Sequence, residues 1–202
     1  MNTLEFIVNK FKLNLLAHSP IKIRYLSREE FAQLLCTVGY RVGVEVGVKE
    51  GNFSKCLCIN NPDLHLTSVD PYSMETNNGN FDSQEIADAM YRKACKNLKG
   101  YNCDLVRKTS VEAAKDFEDG SLDFVYIDGN HMYDYVFEDL SVWYPKVRVG
   151  GIMSGHDYLL RNPSCQVTEA VDDFMKQNSI TPIIMFGSHM PERIKSWMWV
   201  KE

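Results

Sequence analysis

Four ionisable side chains follow two of the predicted strands, and their types suit the removal of a proton. Asp128 and His131 come after the fourth predicted strand, and His156 and Asp157 come at the end of the fifth. Neighbouring parallel strands end at the same edge of a sheet, so we expect these side chains to share one crevice. A histidine there can act as a general base on a bound hydroxyl, because its pKa lies near neutrality. Alternatively, Asp128 and Asp157 could hold a divalent ion that lowers the pKa of that hydroxyl.

The segment VEVGVKEGNFS, residues 44–54, predicts a ligand-binding turn between a strand and a helix. Gly47 permits a sharp turn at the carboxyl end of the strand, and Gly51 permits the backbone to pass close to a ligand. Glu45 precedes both glycines. A dinucleotide site requires Gly-x-Gly-x-x-Gly, whereas Gly43, Gly47 and Gly51 are spaced by four. The spacing therefore disfavours a site built around a pyrophosphate.

A second acidic residue stands at a strand end. Asp70 closes the predicted strand LHLTSVD, where its carboxylate can accept hydrogen bonds from the hydroxyls of a ribose. Because NAD sites use an acidic residue in the same way, Asp70 predicts a nucleoside-containing ligand without saying which one.

The elements that must position these residues alternate between strand and helix. Five rounds of this alternation predict an α/β fold with a doubly wound, mostly parallel sheet. Two terminal strands with a short connection can pair only as an antiparallel hairpin, because a parallel pair needs a crossover. We therefore predict a seven-stranded sheet that ends in a C-terminal antiparallel hairpin. Its strands are predicted at 41–47, 64–70, 103–108, 121–128, 150–157, 181–187 and 194–201.

The first 39 residues are predicted to form a helical segment ahead of a domain over 40–202. Ser27 and Glu30 form a capping box before its second helix. The first helix is amphipathic and too charged for a membrane span or a signal sequence, so we expect it to pack on the domain or on a second copy of the chain in a homo-oligomer. Its apolar residues are Leu4, Ile7, Val8, Phe11 and Leu15. We expect this segment and the predicted loop 71–82 to determine which substrate the protein binds.

Composition narrows the class of protein. The chain has 202 residues, of which 45% are hydrophobic and 24% charged, as in a single globular domain. Its net charge is −5 without a basic run longer than a pair, which disfavours DNA or RNA as the main partner because cations supply most of that affinity. Six cysteines without a CxxC pair, in a chain whose first helix is too charged for a signal sequence, predict reduced thiols and a cytoplasmic location. The charges of that helix also predict no stable membrane insertion.

These stretches resemble the class I S-adenosylmethionine (SAM)-dependent methyltransferases, within them the small O-methyltransferase-like domains of the methyltransferase domain 24 type. The resemblance covers about residues 40–201 and is carried by VEVGVKEGNFS, by LTSVDPY (66–72), by the stretch 121–158 beginning SLDFVYIDGNH and by the terminal hairpin. It implies a Rossmann-like fold in which SAM gives its methyl group to a hydroxyl oxygen of a small molecule or sugar.

The resemblance also implies roles for six residues around SAM. Glu45, Gly47 and Gly51 would form the methionine side of the site. Asp70 would bind the ribose, Ser110 would lie near the adenine, and Asp128 would border the methyl group.

One departure from the family bears on the metal. Related metal-dependent O-methyltransferases, such as the catechol and macrolide-sugar enzymes, carry Asp–Asp, Glu–Asp or Asp–Asn after the fifth strand, where this chain has His156–Asp157. Hard cations prefer all-oxygen ligands. The sequence therefore favours a catalytic set of His131, His156 and Asp157 over a divalent ion at Asp128 and Asp157.

Two other functions remain open from the sequence. One is a non-catalytic SAM- or nucleotide-binding domain, which the charged cluster disfavours. The other is an iron-dependent hydroxylase with His131, His156 and Asp157 as ligands, which the α/β pattern disfavours because such triads usually lie on a β-barrel.

Overall fold

The computed structural model describes residues 2–73, 83–158, 164–187 and 195–202. The strands are β1 (Ile21–Ile23), β2 (Val42–Val46), β3 (His65–Val69), β4 (Cys103–Val106), β5 (Leu122–Ile127), β6 (Val147–Tyr158), β7 (Ile184–Phe186) and β8 (Lys195–Val200). The helices are α1 (Thr3–Phe11), α2 (Arg28–Thr37), α3 (Asn52–Asn60), α4 (Gln84–Leu98), α5 (Ser110–Ala114), α6 (Tyr133–Trp143) and α7 (Val167–Gln177), with a 3₁₀ turn at Tyr144–Lys146.

The strands form one sheet in the order β1-β7-β8-β6-β5-β2-β3-β4. Only β8 runs antiparallel to its neighbours in the described sheet, and it lies between β6 and β7. The other pairs are parallel. The predicted α/β fold, its mostly parallel sheet and its antiparallel C-terminal pair are therefore confirmed.

The predicted number of strands was wrong, because the described residues contain eight strands rather than seven. The additional strand, Ile21–Ile23, pairs in parallel with Ile184–Phe186 at the sheet edge. Three residues are too few to show the alternation that marks a strand in a sequence. The fifth predicted strand was expected to begin at Gly150. It begins at Val147 instead, so that Gly150 and Gly151 lie inside it.

Both faces of the sheet are covered by helices, which explains the near-continuous apolar runs of the central strands. Trp143 and Phe174 pack on the face covered by α6 and α7. Phe31 and Leu57 pack on the face covered by α2 and α3. In the sheet, β2 lies between β3 and β5. The strand order reverses at β2, and a crevice opens there at the carboxyl ends of the strands.

The N-terminal segment packs against the same sheet. Ile7 of α1 is fully buried. The Tyr40 hydroxyl donates to the Gly150 carbonyl at 2.7 Å, and its oxygen lies 3.2 Å from Thr3 Oγ1. The Ser27–Glu30 capping box at the start of α2 is confirmed. Within the part of the chain that is described, no helix is both long and apolar enough to span a membrane. Most of the predicted loop 71–82 and the connection between β7 and β8 lie outside the described residues.

Candidate active site

A cavity of about 780 Å³ opens at the carboxyl ends of the central strands. Its size is that of a small-molecule or cofactor pocket. Five of the six residues predicted around a cofactor line it, although they come from four different strand ends: Glu45, Gly47, Asp70, Ser110 and Asp128.

Gly47 holds the position where two neighbouring strand ends approach most closely. Its backbone has a φ of 88°, in the left-handed region that favours glycine. A Cβ at this position would lie 2.1 Å from the Asp128 carbonyl oxygen and 2.7 Å from Gly129 Cα. The turn after β2 can therefore lie against the loop after β5 only if residue 47 has no side chain.

Asp70 fixes the conformation of the same turn. Its Oδ2 accepts the backbone N–H groups of Val48 and Lys49, both at 3.0 Å, and its Oδ1 accepts the N–H of Tyr72 at 2.9 Å. A carboxylate oxygen can accept more than one hydrogen bond, so Asp70 retains capacity for the hydroxyls of a ligand. The structure thus gives Asp70 a structural role that the sequence did not indicate.

Glu45 is buried at the floor of the cavity. The side chain is 1% exposed and accepts hydrogen bonds from the hydroxyls of Ser54 and Ser68. Burial raises its pKa to about 8, because a low-dielectric environment disfavours the charged form. A cation bound beside Glu45 would favour its ionised form and so gain a countercharge.

The predicted histidine–carboxylate cluster is assembled as expected. Asp157, whose φ is 61°, places Oδ2 3.0 Å from His131 Nε2 and 3.2 Å from His156 Nδ1. His156 Nδ1 also lies 3.8 Å from Asp128 Oδ1. The structure therefore brings the four residues together from the ends of two strands.

Asp157 and His131 change each other's ionisation. Burial alone would raise the pKa of Asp157, but its hydrogen bonds with His131 and His156 hold this pKa well below the ordinary value. The same hydrogen bond raises the pKa of His131. The pKa of Asp128 is raised, in contrast to that of Asp157, because burial raises it by more than Arg28 and His156 lower it.

The four residues differ in their access to the cavity. His131, His156 and Asp128 line it, whereas Asp157 lines only a small adjoining space of about 10 Å³. Asp157 has a side chain that is 9% exposed and lies behind the histidines. Its position favours a role in orienting the histidines over direct contact with a substrate.

Each histidine has one ring nitrogen turned to Asp157. The second ring nitrogen of each has no hydrogen-bond partner among the described residues. In a neutral imidazole the carboxylate fixes the proton on the nitrogen that it binds, which leaves the other nitrogen as the base. Either ring can therefore accept a proton from a molecule in the cavity.

Comparison with known proteins identifies the fold and the family. Residues 44–158, more than half of the chain, match the family described as Methyltransferase domain. The chain belongs to this methyltransferase domain family. The matched stretch contains all nine residues predicted as catalytic, cofactor-binding or metal-binding, and members of this class use SAM as the methyl donor.

Individual relatives are distant. An uncharacterized protein of Acanthamoeba polyphaga mimivirus is 25% identical over 152 residues, which are 75% of this chain and 64% of that protein. An uncharacterized protein of Sinorhizobium fredii is 29% identical over 122 residues, which are 58% of this chain and 13% of that protein. The chain thus spans less than two thirds of the length of each of these two curated relatives.

Solved structures share the fold of the methyltransferase domain. An O-methyltransferase from Bacillus cereus, solved in complex with S-adenosylhomocysteine (SAH), has a TM-score of 0.61 at 15% identity, over 98% of this chain and 90% of that chain. An O-methyltransferase family protein from Burkholderia thailandensis has a TM-score of 0.59 at 12% identity, over 87% of this chain and 59% of that chain.

Gly51, the sixth residue predicted around the cofactor, does not line the cavity of the methyltransferase domain. It has a φ of 76° at the N-cap of α3, and a Cβ there would lie 3.3 Å from Leu98 and 3.4 Å from Ala94 in α4. A glycine at position 51 therefore serves the close packing of α3 against α4 rather than contact with a ligand.

Sequence reasoning missed several polar residues that line the same cavity, among them Arg28 and Asp139. Asp139 is 6% exposed, and burial raises its pKa to about 7, although a hydrogen bond with Ser110 lowers it. Ser110 Oγ also accepts the indole N–H of Trp143 at 2.8 Å. A carboxyl at Asp139 could be anticipated only from its place on the buried face of α6, next to Leu140 and Trp143.

Proposed function

We propose that this protein is an enzyme that transfers the methyl group of SAM to a hydroxyl oxygen of a small molecule. The observation that carries the proposal is that one cavity is lined by five of the six predicted cofactor residues together with His131 and His156. A non-catalytic domain has no use for two histidines that are oriented by a buried carboxylate and face a cavity.

In this proposal SAM extends across the strand ends. Glu45 and Gly47 contact its methionine part, Asp70 accepts hydrogen bonds from its ribose, and Ser110 lies beside its adenine. Gly51 supports the turn from behind. The methyl group then faces Asp128, His131 and His156, and the rest of the cavity receives the acceptor.

The reaction requires little from the protein beyond alignment and removal of one proton. The acceptor oxygen attacks the methyl carbon as the bond from that carbon to the sulfonium sulfur breaks, and the electron pair of that bond stays on sulfur, so that SAM becomes neutral SAH. The acceptor hydroxyl gives its proton to the free nitrogen of His131 or His156. Asp157 stabilises the imidazolium that forms, as an acidic residue does for the histidine of a hydrolase triad.

Binding and turnover measurements test this function. We expect calorimetry to show binding of SAM and SAH. We expect no binding of NAD, because the glycine spacing is wrong for a pyrophosphate, and no binding of 2-oxoglutarate, because the iron triads that use it usually lie on a β-barrel. Incubation with SAM labelled in the methyl group, together with sugars, phenols and peptides, should then label a hydroxyl-bearing small molecule. Binding of 2-oxoglutarate with iron would favour the hydroxylase instead, and binding of SAH without transfer to any acceptor would favour a non-catalytic domain.

A metal-assisted reaction is the second candidate, and one observation favours it. Asp128, His131 and Asp157 each offer a ligand atom, and the three atoms lie within 4.8 Å of one another. Two carboxylates and an imidazole fit a transition-metal ion better than magnesium. Such an ion would lower the pKa of the acceptor hydroxyl. The prediction of Asp128 and Asp157 as ligands thus gains His131 as a third residue.

We expect methyl transfer to survive removal of divalent ions by EDTA, because a histidine can take the proton without a metal. The measurement is the initial rate before and after dialysis against EDTA, with circular dichroism as the check on folding. A loss of activity that Mn²⁺ or Zn²⁺ restores, but Mg²⁺ does not, would replace the histidine-base mechanism with the metal-assisted one.

Other features of the protein stay predictions from the sequence. They are a cytoplasmic location, a homo-oligomeric assembly, the lack of a nucleic-acid partner and the division of the chain into 1–39 and 40–202. They rest on composition and charge pattern, which do not depend on the geometry of the cavity.

A further inference from the structure

Arg28 brings a positive charge into the cavity from outside the methyltransferase domain match. It is the first residue of α2, sixteen positions before the matched stretch 44–158 begins. It nevertheless lines the cavity together with Glu45 and Asp128. The N-terminal segment therefore completes a wall of the site.

The guanidinium of Arg28 is held in one place by aromatic rings and a carboxylate. Its Cζ lies 4.0 Å from the centre of the Phe53 ring and 5.2 Å from that of Tyr126, and such stacking is attractive for a planar cation. Its Nη2 lies 2.9 Å from Asp128 Oδ2. The group is therefore preorganised, which reduces the entropy that a ligand must remove on binding.

The hydrogen-bonding capacity of Arg28 is only partly used. Its Nε is buried and has no partner within the described residues, and a guanidinium offers five N–H donors in all. Leaving a buried donor unpaired is unfavourable, and more so for a charged group. The side chain is 33% exposed, so the remaining donors can meet a ligand that enters the cavity.

The charges around Arg28 favour an anion. Burial raises the pKa of Glu45 to about 8, so this carboxyl carries little negative charge at neutral pH. Among the guanidinium nitrogens of Arg28, only Nη2 donates a hydrogen bond to Asp128. The positive charge of Arg28 is thus incompletely balanced by the protein.

We propose that Arg28 binds the α-carboxylate of SAM. The inference rests on the proposed function, in which the methionine part of SAM lies beside Glu45 and Gly47. That carboxylate is the one anionic group of SAM, and it belongs to the end of the molecule that lies nearest Arg28. Glu45 would bind the α-ammonium group, so that Arg28 and Glu45 each pair with one of the two charges on the amino-acid part of SAM.

A comparison of two ligands in two variants tests this pairing. Decarboxylated SAM keeps the adenosine, the sulfonium and the amine but lacks the carboxylate. We expect the wild-type protein to bind SAM more tightly than decarboxylated SAM. We expect Arg28→Gln to weaken SAM binding by about 10- to 100-fold, as for the loss of charge-assisted hydrogen bonds, and to change the affinity for decarboxylated SAM by less than about twofold. Arg28→Lys, which keeps the charge but loses the fork of donors, should fall between the two.

Arg41→Gln is the matched control, because Arg41 pairs with exposed Asp63 before β2, away from the cavity. It should leave the affinity for both ligands unchanged. Equal weakening of both ligands by Arg28→Gln would show that Arg28 only supports the Asp128 loop and would overturn the proposal. So would an unchanged affinity for SAM combined with a raised KM for the acceptor, because the carboxylate partner would then lie on the acceptor. If the wild-type protein binds neither SAM nor SAH, the proposed function itself fails.

Discussion

Gly47→Ala is expected to reduce the affinity for SAH by more than 100-fold, while Gly120→Ala leaves it intact. The added Cβ would lie 2.1 Å from the Asp128 carbonyl oxygen, which is a backbone atom and cannot rotate away. The loops after β2 and β5 would have to separate, and both line the cofactor cavity. Isothermal calorimetry with SAH measures the loss, at a temperature where thermal unfolding shows that the variant is folded.

Gly120→Ala separates this clash from the strain of the backbone conformation. Gly120 also has a positive φ, 70°, but a Cβ there would meet no atom within 4 Å. Both variants should therefore lose about 1–2 kcal/mol of stability from the left-handed conformation, and only Gly47→Ala should lose the ligand. If Gly47→Ala bound SAH as tightly as Gly120→Ala does, the assignment of the β2 turn to the cofactor would be wrong.

His131→Ala and His156→Ala are expected to separate catalysis from cofactor binding. The variant that removes the base should lower turnover by about 100- to 10,000-fold, the usual range for a lost general base. Its affinity for SAH should change by less than about twofold, because both rings are assigned to the acceptor. Single-turnover rates with labelled SAM, alongside calorimetry with SAH, measure the two effects separately.

His65→Ala is the control for this pair. His65 Nε2 lies 2.9 Å from Asp104 Oδ2. His65 is at the start of β3, at the opposite end of the strands from the cavity, and its loss should leave turnover unchanged. Full activity in both His131→Ala and His156→Ala would eliminate the histidine base. The metal-assisted reaction would then be the better account of the cluster.

The pH dependence tests whether His131 is the base. The hydrogen bond that His131 donates to Asp157 raises the pKa of His131, and a base must be neutral to take a proton. If His131 is the base, the rate should therefore rise with pH through a midpoint above the ordinary histidine pKa. Asp157→Asn removes the negative charge and should move that midpoint to lower pH, whereas a merely structural role for Asp157 would lower the rate without moving the midpoint.

Local patterns in the sequence were enough to predict most of the strand-end residues that line the cavity. Glu45, Gly47 and Asp70 each stand at the end of a strand whose β-branched, apolar composition is visible over five or more residues. In a parallel sheet such ends converge at one edge whatever the details of packing. Residues more than 20 positions apart in the chain could therefore be predicted to share one crevice from the parallel arrangement of their strands alone.

The same reasoning failed where the deciding contact is not local. Gly51 has the residue type and spacing of a ligand-contacting glycine, but its closest neighbours are Leu98 and Ala94 in α4. The strand at Ile21–Ile23 is too short to show a period and exists because Ile184–Phe186 offers an unpaired edge. Both features depend on which element packs on which, and the sequence of either element alone does not specify its partner.

The sequence by itself determined the family, the mostly parallel sheet whose strand ends form the cavity, and the presence of two histidines and two carboxylates at its edge. Only the tertiary structure decided that Asp157 lies behind the histidines, and that Arg28 reaches Asp128 from 100 positions away in the chain. The physical reason is that periodicity encodes which face of an element is buried, since burial acts on each residue separately. The direction and the partners of a polar side chain depend on the helices that pack around it. The positions of these helices are set only in the complete fold, in which both faces of the sheet are covered.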